Sequence, residues 1–211
     1  MTDEKLFRGV DNGGGAKQVC RAQRAVPLRQ ISEQTMGDDL RYPIGKFERV
    51  ENLTQEQRGD FIAQIADAPT RLAAAVAGLN SEQLDTPYRP GGWTVRQLIH
   101  HIPDSHMNAF IRFKLALTED EPTIKSYDEA LWAKLGDVKD TPTQVSLALL
   151  DNLHKRWVPL LQSLAPSDWS RKFRHPEIGT MTLDHLLALY AWHGRHHVAH
   201  ITSLRERNGW N

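Results

Sequence analysis

Apolar residues spaced three and four apart recur through four long stretches of this chain, and that period commits it to helices that each bury one face. The first stretch runs from Thr54 through Phe61, Ile62, Ile65 and Leu72 to Leu79, and Thr54 with Gln57 has the spacing of a capping box. The second opens on another such box, Thr94 with Gln97, and continues through Leu98, Ile102, Phe110 and Phe113 to about Thr118. The third follows Thr141, with Pro142 suited to a first turn, and carries Val145, Leu149, Leu153, Trp157, Leu160 and Leu164. The fourth starts near Thr182 and ends among Arg205 and Arg207 before Gly209, where basic side chains meet the negative end of the helix dipole. A short helix is expected at Asp128 to Leu135, and a loop or small hairpin at Ser170 to Met181. Little of the chain alternates with period two, so the expected class is all-α: a four-helix bundle in which Pro69, Pro103 and Pro159 kink three helices.

Residues 1 to about 35 break this pattern. Asn12-Gly13-Gly14-Gly15 interrupts scattered arginines with little to bury, which predicts a disordered extension at 1–35 and a domain at 36–211. Met36 is an alternative start. Lys plus Arg and Asp plus Glu balance at 26 each, so no basic field gathers nucleic acid. Cys20 is the only cysteine, which excludes an intramolecular disulfide framework and fits a reducing cytoplasm. No apolar run reaches the length of a membrane span.

All ten histidines lie between residues 100 and 200, and four of them fall within Trp192-His193-Gly194-Arg195-His196-His197-Val198-Ala199-His200. At about 100° per residue these four share an arc of roughly 100° on one helix face. Imidazoles one turn apart on a helix lean toward one point and can grip a divalent metal. Two such pairs compete, His193 with His197 and His196 with His200. Leu183, Leu186, Tyr190, Ile201 and Leu204 place the buried direction closer to the first pair, leaving His196 and His200 to flank the site or reach solvent. An open catalytic site needs a third ligand from another helix. On the second helix His100 points away from the apolar stripe of Val95, Leu98 and Ile102, while His101 lies to its side; beyond Pro103, His106 joins the stripe of Ala109, Phe110 and Phe113. The kink spoils the projection, so His101 and His106 both stand as candidates. His154, His175 and His185 lack such company and are expected to be structural or exposed.

These segments also resemble a known family. The run Leu84-Asp85-Thr86-Pro87-Tyr88-Arg89-Pro90-Gly91-Gly92-Trp93-Thr94-Val95-Arg96-Gln97, then His100-His101-Ile102-Pro103-Asp104-Ser105-His106, and finally Trp192 to Thr202 look like the YfiT branch of the DinB superfamily, and Tyr42-Pro43-Ile44-Gly45 resembles its opening. The likeness covers roughly Tyr42 to the C-terminus. It implies a DinB-like four-helix bundle, a homodimer, and one divalent ion per subunit held by His101, His193 and His197. Asp104, His106, His196 and His200 then stand beside those ligands or in the pocket.

The activity this implies is a metal-dependent hydrolase acting on a small molecule, with zinc the expected ion and nickel or another divalent ion the alternative. No residue is singled out as the general base. One rival keeps the site and replaces water with a low-molecular-weight thiol, giving a metal-dependent S-transferase. Another, of a different class, is a metal-binding stress-response module without turnover.

Overall fold

The computed structural model describes residues 40–210. The expected extension at 1–35, and Met36 with it, lie outside these residues. Four long helices carry the fold: α1 (Gln55–Val76), α3 (Val95–Thr118), α6 (Thr143–Gln162) and α7 (Leu183–Asn208). Between them lie the short helices α2 (Ser81–Leu84), α4 (Glu129–Trp132) and α5 (Gly136–Asp140), a 3₁₀ turn (Asp168–Ser170), and the strands β1 (Lys172–His175) and β2 (Gly179–Thr182).

Local chemistry sets the helix ends. Thr54 accepts from the Gln57 amide while the Gln57 side chain accepts from Thr54, and Thr94 with Gln97 repeats the arrangement. Gly209 closes α7 in the left-handed conformation (φ 64°), with its amide on the carbonyls of Arg205 and Glu206. Helix α1 stops at Val76, short of Leu79, because Gly78 takes a positive φ of 76°. The short helix expected at Asp128 to Leu135 spans only Glu129–Trp132, and a second short helix, α5, follows the expected span. Leu135 has extended backbone at the N-cap of α5 and separates it from α4.

Side-chain contacts fix the direction of each long helix. Arg58 at the start of α1 pairs with Asp184 at the start of α7, and Arg205 near the end of α7 caps the end of α1 on Ala75 and Ala77. Those two helices are therefore parallel. His100 meets Ser146 and His106 meets His154, so α3 and α6 are parallel as well. Helix α7 opposes α3, because Ser105 meets Tyr190 while His101 lies against His193 and His197. The order is up, down, down, up. Joining two parallel neighbours obliges the chain between α3 and α6 to travel back along the bundle. It does so over residues 119–142, pinned by a Thr123–Arg174 bridge to β1 and by a Gln97 hydrogen bond to Ala133.

The core comes in two apolar clusters. One gathers Ile65, Phe113, Trp157, Trp169, Phe173 and Leu186; the other gathers Leu72, Val95, Leu98, Ile102, Leu150 and Ile201. The antiparallel hairpin adds Phe173 and Met181, paired in register, to the first. A buried layer of histidines separates the two clusters.

Candidate metal centre

His193 and His197 stand one turn apart on α7 and face His101 on α3. All three are buried, and one nitrogen from each lies within 4.8 Å of the others. The Nε2 atoms of His101 and His193 are 3.3 Å apart. Two nitrogens each about 2.0–2.1 Å from one tetrahedral ion stand about 3.3–3.4 Å from each other, so this spacing fits a shared metal. Three imidazole nitrogens turned toward one point are also the donor set that suits such an ion.

The protons of the surrounding histidines follow from one carbonyl. Pro69 has no amide hydrogen, so the Ile65 carbonyl four residues earlier on α1 has no helical donor. His154 lies 2.6 Å from that oxygen through Nδ1. A carbonyl only accepts, so His154 donates from Nδ1 and its Nε2 is left as an acceptor. His106 then donates from Nδ1 to His154 Nε2 at 2.9 Å, and His193 donates from Nδ1 to His106 Nε2 at 3.2 Å. The chain ends with His193 Nε2 unprotonated and turned toward His101. Both intermediate rings stay neutral: burial lowers the pKa of His154 to about 4, and burial with the neighbouring histidines pushes that of His106 well below its usual value.

A pocket opens on one side of this layer. His101, His193, Ser105 and Tyr190 line it beside the metal candidates, and Arg112, Tyr127, Glu129, His175, Ile178, Met181 and Leu189 complete the lining. The Ser105 hydroxyl is 3.5 Å from His193 Nε2 and donates toward the Tyr190 hydroxyl at 3.4 Å.

The sequence profile of the DinB superfamily matches residues 64–201. This chain belongs to the DinB superfamily. Among the relatives of this member, a protein of Bacillus mycoides (strain KBAB4) is 59% identical over 172 residues, spanning 82% of this chain and 99% of the relative. A protein of Bacillus cereus (strain B4264) is 57% identical over 173 residues, with the same shares covered. Both carry the name "Putative metal-dependent hydrolase". YfiT from Bacillus subtilis, described as a probable metal-dependent hydrolase with an unusual four-helix bundle topology, superposes with a TM-score of 0.80 at 48% identity and covers 82% of this chain and 99% of its own.

The DinB bundle distributes the other histidines differently from a helical wheel. His100 points into the protein, onto Ser146, because α3 is flanked by α6 as well as α7. His196 and His200 are both buried and neither reaches solvent: His196 stacks on Trp192, and His200 stacks on Tyr88 and bonds the Arg41 carbonyl through Nε2 at 3.1 Å. His154, His175 and His185 are buried too, and His154 belongs to the proton chain behind the site. Neither Asp104 nor His106 lines the pocket. Burial raises the Asp104 pKa to about 6 against the opposing pull of His101. Ser105 and Tyr190 carried a usable signal, lying four and three residues from His101 and His193. Arg112 shares the helix face of His101 and Ser105, while Tyr127, Glu129 and His175 carried no signal short of the crossover and the hairpin.

Proposed function

We propose that the chain is a metal-dependent hydrolase in which His101, His193 and His197 hold one divalent ion. The observation that carries this is the convergence of the three imidazoles, with the proton chain from the Ile65 carbonyl presenting His193 Nε2 unprotonated. An ion held there supplies the Lewis acidity by which such enzymes make water nucleophilic near neutral pH. Ser105 and Tyr190 place two hydroxyls beside the ion's position, where they orient a polar group of the substrate. The two apolar clusters pack on either side of this layer and support its side chains.

Zinc is the ion we infer, because neutral imidazoles in a compact set suit it and no cysteine stands among them; nickel is the alternative. Homodimeric assembly and a cytoplasmic setting complete the proposal, the first from the likeness to the YfiT branch and the second from a single cysteine. No helix among the described residues is long and apolar enough to cross a membrane.

The experiment is metal content and turnover of ester and amide substrates by wild type, His101→Ala, His193→Ala and His197→Ala. One ion per chain in wild type, its loss in each variant and metal-dependent hydrolysis are the expected results. Full retention of metal by the His193 or His197 variant overturns the ligand assignment. Substrate loss that requires an added thiol, with none in water alone, overturns hydrolysis.

A further inference from the structure

We propose that Arg112 is the anchor for an anionic group, carboxylate or phosphate, at the end of the substrate remote from His101, His193 and His197. This rests on the hydrolase proposal for the site itself. Arg112 is 9% exposed and lines the same pocket as His101 and His193. Its guanidinium forms no hydrogen bond or ion pair with any described residue. A largely buried guanidinium that faces a pocket gains most from an anion placed against it.

The position on α3 sets the length of the ligand. Residues 101, 105, 108 and 112 fall on one face of the helix. Eleven residues carry Arg112 about 16 Å along the axis from His101. Side chains lean toward the helix N-terminus, which brings the guanidinium back to on the order of 10 Å from the histidines. Ile178, Met181 and Leu189 line the same pocket and give it an apolar wall. The ligand that fits is elongated, apolar along its middle and negative at its far end.

Two other titratable groups face this part of the pocket. Burial, and then the charge of Arg112, depress the His175 pKa to about 4, so His175 is neutral and offers Arg112 no counter-charge. Glu129 from α4 lines the pocket as well. The guanidinium fork offers a planar carboxylate or a phosphate two donors.

The test is calorimetric binding of octanoate, octyl phosphate, octanol and octylamine to zinc-loaded and chelator-stripped wild type, with Arg112→Met and Arg112→Lys alongside. The two anions are expected to bind wild type at least tenfold more tightly than the neutral and cationic ligands in both metal states. Arg112→Met should lose that preference, and Arg112→Lys should keep more of it for the phosphate than for the carboxylate. Equal binding of octanol and octanoate to wild type overturns the proposal without any variant. So does anion binding that survives Arg112→Met, or that vanishes on stripping the metal. Preference for anions without hydrolysis refutes the hydrolase proposal and upholds Arg112; hydrolysis without the preference does the reverse.

Discussion

Pro69 and His154 meet at one atom, the carbonyl oxygen of Ile65. The proline withholds the amide that would have occupied it, and the histidine places its Nδ1 proton there at 2.6 Å. A residue that weakens α1 as a helix thus sets the tautomer of three successive imidazoles. The consequence reaches the site only because α1 and α6 pack side by side with His106 between His154 and His193. Partners of this kind, one bond beyond a metal ligand, hold its ring and its basicity.

His154→Leu leaves the His106 proton without its acceptor and frees the His193 ring to rotate. Metal affinity should fall about 10- to 100-fold, as for other partners behind metal ligands. Pro69→Ala restores a helical donor that competes for Ile65 and should weaken binding in the same direction by less. Chelator competition measures both. Unchanged affinity in His154→Leu would break the link between the proton chain and the site.

The same residue gives the metal-free protein a pH dependence. His154 titrates at about 4 in the folded protein and at 6.5 when unfolded, so between these values the unfolded chain binds more protons. Its contribution is complete above pH 6.5 and is lost as pH falls toward 4, amounting to about 3 kcal/mol at most. His175, depressed to about 4, slopes the same way. Asp104, raised from 3.8 to about 6, slopes oppositely across most of that window. The diagnostic quantity is therefore a difference. Urea unfolding at pH 7 and pH 5 should show wild type losing more stability on acidification than His154→Leu, and identical losses would contradict the assignment.

Periodicity and capping boxes made the four long helices legible in the sequence, since Thr54, Thr94 and Gly209 act within a turn of themselves. The same local geometry separated His193 and His197 from His196 and His200 by direction. It failed for His100 and His154, because a wheel assumes one buried face and α3 has neighbours on two. Arg112, Tyr127, Glu129 and His175 reach the pocket from a helix face, a crossover and a hairpin that come together only in the up, down, down, up order. No spacing along the chain encodes that meeting.

Asp184 should matter to the fold and not to the metal. Its carboxylate accepts from Arg58 Nε at 2.7 Å and Nη2 at 2.8 Å and from the Leu53 amide at 3.1 Å, and it is buried. The bonds to Asp184 raise the pKa of Arg58. Removing one member of a buried pair strands the other, so Asp184→Ala should cost about 3–5 kcal/mol in denaturant unfolding. Metal affinity of the folded fraction should match wild type. A stability change below about 1 kcal/mol would show that the pair behaves as a surface one.

Gly194 lies between the two members of the α7 pair, and a Cβ there would sit 3.3 Å from the Ala68 Cβ and 3.5 Å from His106 Cε1. The Ala68 Cβ is fixed to the backbone of α1, so α1 and α7 must part by a few tenths of an ångström, while the His106 contact is an ordinary van der Waals one. Gly194→Ala gains about 1 kcal/mol of helix propensity and loses about 1–3 kcal/mol to crowding. The melting temperature should therefore change little or fall modestly. Metal affinity should fall several-fold, because the shift of α7 that relieves Ala68 carries His193 and His197 with it. Chelator competition alongside thermal melts separates the two effects, and an affinity equal to that of wild type would mean that the two helices can part without disturbing His193 and His197.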